Sequence, residues 1–414
     1  MAASRNNQKK KMNSDNNPLH PTGLQAIETF RKLYRREPTV LSRAPGRVAM
    51  LGAHVDYSDG WVLPAAIDKS VWLAAAPSEQ PKVTVYSHEI DEQHSFDLST
   101  RYNGHDAPTS WFKYLKGVAW SLQETGYPPM VGMDAALVSD VPMGSGVSSS
   151  AALEIAFMNA WLMLSEVDVP PLTKALIGRK TENYFMGVGS GIMDQVASVF
   201  GEQDHMLLID CRSLEHQLIP VPAGTAVIVA ESGVRRALAN SAYNSRPQEC
   251  REAVEILRGS LPHIKTLRDV TADQFEIYGH QLPPRLRRRA RHVVEECERV
   301  KQGADALHCG DLTGFGKLMR RSQISSRDNY ENSIPEFDLL ASVAWQQPGC
   351  YGARFAGGGF GGVMQIFCDE NAVSQIEQAI SAAFQTEFDR KLPTFTCKIA
   401  KGAQCWRLSA DSAH

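Results

Sequence analysis

The chain has 414 residues, with 43 Lys and Arg against 46 Asp and Glu, so its formal net charge is −3. This length predicts two or three domains with full-sized cores, and the balanced charge argues against nucleic acid or an anionic membrane as the main partner. The eight cysteines include no CxxC pair, which is typical of thiols in a reducing compartment. We therefore expect a cytoplasmic protein.

The first half of the chain predicts a tail and one domain. Residues 1–22 are polar and basic and predict a disordered tail. Apolar residues at helical spacing begin near Leu24, and a β-rich stretch of apolar runs and Gly and Pro breakers follows. Further helices are predicted after residue 110, from Ser150 to about Ser165 and from Leu172 to about Phe185. These elements predict a domain over residues 23–204.

The second half predicts a separate domain over residues 205–405 and a short tail over 406–414. Strands, a group of helices, and then a strand, a Gly-rich loop, a strand and a helix follow one another. This order favours an α+β architecture over a doubly wound parallel sheet. The longest apolar run, around "IAFMNAWLMLS", is too short to span a bilayer.

The segment "VPMGSGVSSSAALE", from Val141 to Glu154, combines two glycines and three consecutive serines before an apolar helix. Capping of the helix by Ser148 or Ser149 would explain one serine, whereas a bound phosphate would explain the whole loop, because backbone N–H groups at a helix N-terminus bind anions. The segment lacks the Gly-Lys-Ser/Thr ending of a Walker A motif. We therefore expect a different type of phosphate loop.

Two more loops fit the same chemistry. "RAPGRVAMLGAHVDYSDG" holds Arg47, His54 and Asp56, although by itself it also fits a strand pair with a turn. "GARFAGGGFGG" is too rich in glycine for ordinary sheet packing. A serine hydroxyl of the first loop and the Glu182 carboxylate are hard-oxygen ligands of the kind Mg²⁺ prefers, and Asp194 is predicted on a tight Gly turn in "GSGIMDQ".

Together these motifs resemble the GHMP kinases, and within them the galactokinase branch, over about Leu41 to Ala400. "RAPGRVAMLGAHVDYSDGWVLP" is similar to the sugar signature, "PMGSGVSSSAALE" to the ATP motif, "GIMDQ" to the catalytic stretch and "YGARFAGGGFGG" to the third motif. The resemblance implies a two-domain α+β fold with the active site in the interdomain cleft. It also implies phosphorylation of a sugar at its anomeric hydroxyl with MgATP.

The resemblance carries roles to individual positions. Asp194 and Arg47 correspond to the catalytic carboxylate and its cationic partner, and Ser150, with Ser149 as the alternative, and Glu182 correspond to the Mg²⁺ ligands. The implied sugar-binding residues are Arg47, Ala53, His54, Asp56, Gly191, Asp194 and Tyr243. The implied ATP-binding residues are Pro142, Gly144, Ser145, Gly146, Val147, Ser148, Ser149, Ser150, Ala151, Gly357, Gly358 and Gly359.

One position departs from the sugar signature of the galactokinases. Galactokinases read Gly-Glu-His-Thr-Asp-Tyr where this sequence reads "GAHVDY", so Ala53 replaces a glutamate that accepts a hydrogen bond from the C6 hydroxyl. A carboxylate there would repel a C6 carboxylate in a dry pocket, and galacturonokinases resemble this chain in having alanine. The substitution favours D-galacturonate, with D-galactose and then other sugars as alternatives.

Two other functions remain open from the sequence. A sugar-sensing homologue without catalysis is disfavoured because "SSSAA" is intact, and a kinase for mevalonate or homoserine is disfavoured by "HVDYSDG" and "GIMDQ". The expected partners are a small sugar or uronic acid and MgATP, without nucleic acid or membrane. We expect a monomer, with a dimer left open.

Overall fold

The computed structural model describes residues 20–98, 110–129, 131–144, 146–234 and 240–408, and side chains other than those of residues 240–244. The helices are α1 (Pro21–Tyr34), α2 (Trp111–Glu124), α3 (Ser149–Leu164), α4 (Pro171–Lys180), α5 (Met193–Phe200), α6 (Asn240–Leu257), α7 (Ala272–Tyr278), α8 (Pro284–His308), α9 (Leu312–Ser325), α10 (Pro335–Ala344) and α11 (Val373–Phe388). The strands are β1 (Val40–Leu51), β2 (Trp61–Ser78), β3 (Lys82–Ser87), β4 (Glu92–Asp97), β5 (Gly132–Ser139), β6 (His205–Asp210), β7 (His216–Pro220), β8 (Thr225–Glu231), β9 (Cys350–Phe355), β10 (Val363–Asp369), β11 (Thr394–Cys397) and β12 (Gln404–Arg407).

The first sheet has the strand order β12-β1-β2-β5-β3-β4, with β6 also pairing with β2 and β7 with β6. Its long strands β1 and β2 are almost wholly buried because α3 packs on both of them. Helix α3 is apolar around its full circumference, and its residues Ala151–Leu162 are buried. A helix of that composition is stable only inside a core, so the helix that follows the Gly/Ser loop is fixed in place.

The second sheet has the order β11-β8-β10-β9, and all its pairs are antiparallel. Helices α10 and α11 pack together and contact this sheet, and α9 contacts β9. The predicted α+β fold with two parts is confirmed. No helix among the described residues has the length and apolar character needed to cross a membrane.

Three features of the structure lie across the predicted domain boundaries, which stay predictions. Helix α1 already includes Pro21 and Thr22, which were assigned to the tail, whereas residues 1–19 lie outside the described part. Strands β6 and β7, assigned to the second domain, extend the first sheet, so the second sheet begins only at β8. In the predicted C-terminal tail, Trp406 and Arg407 pair with β1. Both of these sheet pairings join strands that are distant in sequence.

Candidate functional site

Two cavities share one wall, and only the smaller of them is also bordered by residues of the second part of the fold. The larger has a volume of about 650 Å³ and is bordered by the Gly/Ser loop, and the smaller has a volume of about 260 Å³ and is bordered by the β1 end and the third Gly-rich loop. Arg47, Ser150 and Asp194 line both. The residues predicted to carry the chemistry therefore lie where the contents of the two cavities would meet.

Arg47 joins the two loops of the site. It lies on β1, and its Nε and Nη2 donate to the two carboxylate oxygens of Asp194 at 2.7 and 2.8 Å. Its Nη1 donates to the Gly146 carbonyl at 2.6 Å. The Arg47 side chain is 5% exposed and that of Asp194 26%, so the guanidinium is held rigidly while the carboxylate stays accessible. Asp194 lies in the first turn of α5 rather than in the predicted tight turn.

The Gly/Ser loop leaves the start of α3 available to an anion. Ser148 is the N-cap residue, but its side chain makes no capping bond; its hydroxyl instead donates to Asp194. The first N–H groups of a helix have no partner within it, and they attract negative charge. Gly144 and Gly146 have positive φ values of 74° and 80°, which side chains rarely tolerate.

Most of the predicted ATP-binding residues border the larger cavity. Those that do are Pro142, Gly144, Gly146, Ser148, Ser149 and Ser150. Val147 and Ala151 are fully buried behind the loop, where the Val147 carbonyl accepts the Arg47 N–H. Ser145 lies outside the described residues. The loop thus presents backbone and hydroxyl groups to the cavity and anchors itself with its apolar side chains.

The larger cavity also has an apolar wall that the sequence analysis missed. Its apolar lining includes Ile90, Trp111, Leu137, Val141 and Leu153. A flat aromatic ring system such as a nucleobase would bury its faces there, because ligand cavities are mostly apolar with a few orienting polar groups. These residues come from separate elements, so no local motif marked them.

The predicted metal ligands come together. The Ser150 hydroxyl donates to Glu182 Oε1 at 2.8 Å, and the Ser190 hydroxyl to Oε2 at 2.6 Å. Glu182 lies on a π-helical turn, Thr181–Met186, where the predicted helix was expected to run on as α-helix; such turns are frequent at functional sites. Burial, with a smaller effect of Asp194, raises the pKa of Glu182.

A cation would fit this pair of residues. One carboxylate and one hydroxyl are hard oxygen donors, and Mg²⁺ commonly takes few protein ligands and completes its shell with water and phosphate. Glu154 on α3 lies close enough to Glu182 that burial and this second carboxylate raise its pKa well above the usual value, and its Oε1 is buried without a hydrogen-bond partner among the described residues. Ser150 contacts Glu182, and within the described part of the chain no such hydrogen bond links Ser149 to Glu182.

Asp56 is one of the carboxylates that border the smaller cavity. Its Oδ1 accepts the Tyr57 N–H at 3.0 Å, and burial together with the nearby Asp194 raises its pKa to about 6. Gly191, also predicted, borders the same cavity, and a Cβ there would overlap the Asp56 carboxylate. The glycine therefore allows the two loops to approach each other.

His54 borders the smaller cavity but has both ring nitrogens engaged. Nε2 lies 2.9 Å from the Gly358 carbonyl and must donate to it, so Nδ1 accepts from the Tyr57 hydroxyl at 2.8 Å. The Tyr330 hydroxyl lies 2.6 Å from that of Tyr57. Burial lowers the pKa of His54 to about 3. The ring is neutral. Its hydrogen bond to Gly358 connects the third Gly-rich loop to the segment that follows β1.

Two predictions for the third loop and its surroundings need comment. Gly357, Gly358 and Gly359, predicted to bind ATP, border the smaller cavity rather than the larger one, because β9 brings them opposite His54. The side chain of Tyr243 lies outside the described part of the structure. Arg354 on β9, which the sequence analysis did not identify, borders the smaller cavity together with Ala49 and Ala53.

Comparison with known proteins places this geometry in context. Three family models match: the galactokinase galactose-binding signature at residues 28–77, the GHMP kinase N-terminal domain at 113–202 and the GHMP kinase C-terminal domain at 302–386. A galactokinase of Chloroflexus aggregans is 42% identical over 382 residues, 92% of this chain and 97% of that protein. A galactokinase of Roseiflexus sp. is 41% identical over 375 residues, 91% of this chain and 95% of that protein.

Solved structures agree. The crystal structure of Lactococcus lactis galactokinase complexed with galactose matches with a TM-score of 0.85 and 31% identity, covering 91% of this chain and 98% of that one. The mevalonate kinase of Methanococcus jannaschii matches with a TM-score of 0.62 and 16% identity, covering 89% and 100%, which shows a shared fold.

Proposed function

The chain belongs to the galactokinase family of the GHMP kinases, and from this premise we propose that it phosphorylates the anomeric hydroxyl of a galactose-configured sugar with MgATP, with D-galacturonate as the preferred substrate. The observation that carries the proposal is the position of the Arg47–Asp194 pair on the wall shared by the two cavities. A sugar in the smaller cavity would present its C1 hydroxyl to Asp194, and a nucleotide in the larger one would present its γ-phosphate to the same point.

The chain's own residues account for the transfer. The anomeric oxygen forms a bond to the γ-phosphorus, the bond from phosphorus to the bridging oxygen of ADP breaks, and the hydroxyl proton passes to Asp194. Arg47 orients Asp194, because its guanidinium donates to both carboxylate oxygens. The free N–H groups at the start of α3 stabilise negative charge on the phosphates.

Ser150 and Glu182 would hold Mg²⁺, which when bound neutralises charge on the phosphate oxygens. Ser150 lies on the shared wall and Glu182 borders the smaller cavity, which supports this assignment. Ionisation of Glu182, disfavoured by burial in the protein alone, would be favoured by a neighbouring divalent cation.

The choice of sugar rests on Ala53. This residue borders the smaller cavity, and its methyl group leaves no acceptor for a C6 hydroxyl and no charge to repel a C6 carboxylate. D-Galactose is the second candidate, because the similar proteins of known name are galactokinases and the Lactococcus structure contains galactose.

The test is coupled ADP release with D-galacturonate, D-galactose, D-glucuronate and N-acetylgalactosamine, with the phosphorylated carbon identified by NMR. We expect a 1-phosphate, formed with a higher kcat/KM for galacturonate. Asp194→Asn should abolish most turnover while an ATP analogue still binds. Asp273→Asn is the matched control, because Asp273 also lies in a first helical turn but is exposed. Undiminished turnover in Asp194→Asn would refute the assignment.

A further inference from the structure

Arg354 is a buried cation at the edge of the sugar cavity. It lies on β9, is 1% exposed, and borders the smaller cavity with Ala49 and Ala53. Its Nη1 donates to the Ala49 carbonyl at 2.9 Å. Its Nε and Nη2 are buried and have no hydrogen-bond partner among the described residues.

Several other buried arginines contact a carboxylate. Arg47 pairs with Asp194, Arg289 with Glu249 and Glu331, and Arg299 with Glu296 and Glu295. A buried guanidinium without a carboxylate or a full set of acceptors is unfavourable. Arg354 therefore differs from these three arginines.

The carboxylate of Glu296 acts on the charge of Arg354, but its two oxygens already accept hydrogen bonds from other groups. Glu296 Oε2 accepts from Arg299 at 2.7 Å, and Oε1 accepts the N–H groups of Gly52 and Ala53 and the Ser322 hydroxyl. Burial lowers the pKa of Arg354 to about 10, with Glu296 acting in the opposite direction. The Arg354 guanidinium is thus still charged at neutral pH, and Glu296 compensates its positive charge only in part.

The cavity wall beside Arg354 is built from small apolar side chains. Ala49 and Ala53 carry methyl groups only, so neither side chain offers an oxygen to the two free N–H groups of the guanidinium. A planar guanidinium with two unused donors matches a carboxylate in geometry and charge. A ligand that carried a carboxylate to this wall would supply the missing partner.

We propose that Arg354 binds the C6 carboxylate of a hexuronate substrate, in the space that Ala53 leaves open. This inference rests on the proposed sugar kinase function and adds the residue that selects the uronic acid. Arg354 acts as a specificity residue: it contacts the group that distinguishes galacturonate from galactose and takes no part in phosphoryl transfer.

The first test replaces the guanidinium. Arg354→Met keeps an unbranched apolar chain without donors, and Arg354→Lys keeps the charge without the planar fork. We expect the ratio of kcat/KM for galacturonate to that for galactose to fall about 100-fold or more in Arg354→Met and less in Arg354→Lys, since a buried carboxylate would lose its partner. The melting temperature of each variant establishes that it is folded.

A second test leaves Arg354 intact and supplies a competing carboxylate. In Ala53→Glu, the new carboxylate should pair with the Arg354 guanidinium and raise the melting temperature. The ratio of kcat/KM for galacturonate to that for galactose should fall about tenfold to a thousandfold. Ala53→Gln is the matched control, with nearly the same size and no charge, and should change the ratio less. This comparison separates charge from crowding, and it stands even if Arg354→Met does not fold.

The outcomes distinguish this inference from the function it rests on. If the parent protein phosphorylates galactose but discriminates against galacturonate, or if the ratio is the same in Arg354→Met as in the parent, the inference is overturned while the kinase function stands. If none of the tested sugars causes the parent protein to release ADP, the proposed function fails. Calorimetric binding of galacturonate then decides the inference. The inference is supported if the parent binds galacturonate and Arg354→Met does not, and it is overturned otherwise.

Discussion

Arg47 holds both carboxylate oxygens of Asp194, at 2.7 and 2.8 Å, while its third nitrogen binds the Gly146 carbonyl at 2.6 Å. One side chain therefore sets the position of the proposed catalytic carboxylate relative to the phosphate loop. The arrangement depends on the planar fork of arginine, since a lysine ammonium is a point charge that cannot span these acceptors.

Arg47→Lys should accordingly lower kcat by about 10²- to 10³-fold, the range typical for loss of one preorganised charge contact at a reacting centre. ADP release at saturating sugar measures this. Arg36→Lys is the control, because Arg36 pairs with Asp134 in a partly exposed ion pair remote from the cavities. Equal rates for the two variants would contradict the role given to Arg47.

Ser150→Ala should raise the Mg²⁺ concentration needed for half-maximal activity, because it removes the hydroxyl that contacts Glu182 at 2.8 Å. Ser149→Ala is the matched control, one residue earlier in the same helical turn. The measurement is the rate as a function of free Mg²⁺ at fixed ATP. A larger change in Ser149→Ala than in Ser150→Ala would transfer the ligand role to Ser149.

The sugar KM should rise as the pH falls below about 6. The pKa of Asp56 is raised to about 6 by burial and Asp194, so one pH unit lower only about a tenth of the molecules keep the carboxylate that accepts sugar hydroxyls, and the apparent KM should be about tenfold higher. Asp56→Asn should have a high KM that no longer rises as the pH falls below about 6. If the KM of Asp56→Asn still rose below about pH 6 as it does in the parent, the titration would belong to another group.

Gly191→Ala should raise the sugar KM, because its Cβ would overlap the Asp56 carboxylate and displace it. Gly189→Ala provides the control two residues away, where a Cβ meets nothing within 4 Å. Steady-state kinetics with varied sugar and saturating ATP compare the two. We expect about a tenfold or greater effect for Gly191→Ala, within the range for a misplaced binding group, and parental values for Gly189→Ala.

Glu296→Ala should lower the free energy of unfolding by about 3–5 kcal/mol, since it removes the buried partner of the Arg299 guanidinium, leaving it only the more exposed Glu295, and the acceptor of the Gly52 and Ala53 N–H groups. Neighbouring cations hold the pKa of Glu296 well below its usual range, so its stabilising contribution is complete above the unfolded-state pKa and is lost as the pH falls through the folded-state value. Urea unfolding at pH 7 measures the change. Glu298→Ala, which removes the exposed ion pair with Lys301 and an exposed hydrogen bond from Gln302, should cost less than about 1 kcal/mol.

The sequence by itself determined the chemistry of the loops. Glycines with positive φ, the hydroxyls before α3 and the acid in "GIMDQ" are local requirements for holding a phosphate and a sugar hydroxyl, so they could be read from short segments. The absence of an acidic side chain at Ala53 was equally visible, because a missing charge in a known motif needs no structure.

Only the tertiary structure decided which groups meet. Ser150 and Glu182 are 32 positions apart and Arg47 and Asp194 are 147 apart, so their contacts depend on how α3, α5 and β1 pack. The same holds for β6, β7 and β12, whose pairing with the first sheet is a long-range hydrogen-bond register that no local pattern encodes.

Arg354 shows this limit most clearly. In the sequence it is one arginine beside a Gly-rich loop, and nothing in a strand pattern tells whether such a residue faces solvent, a carboxylate or a cavity. Its two unpartnered nitrogens become visible only when β9 is placed against Ala49 and Ala53, because the burial and pairing of a charge depend on neighbours supplied by distant parts of the chain.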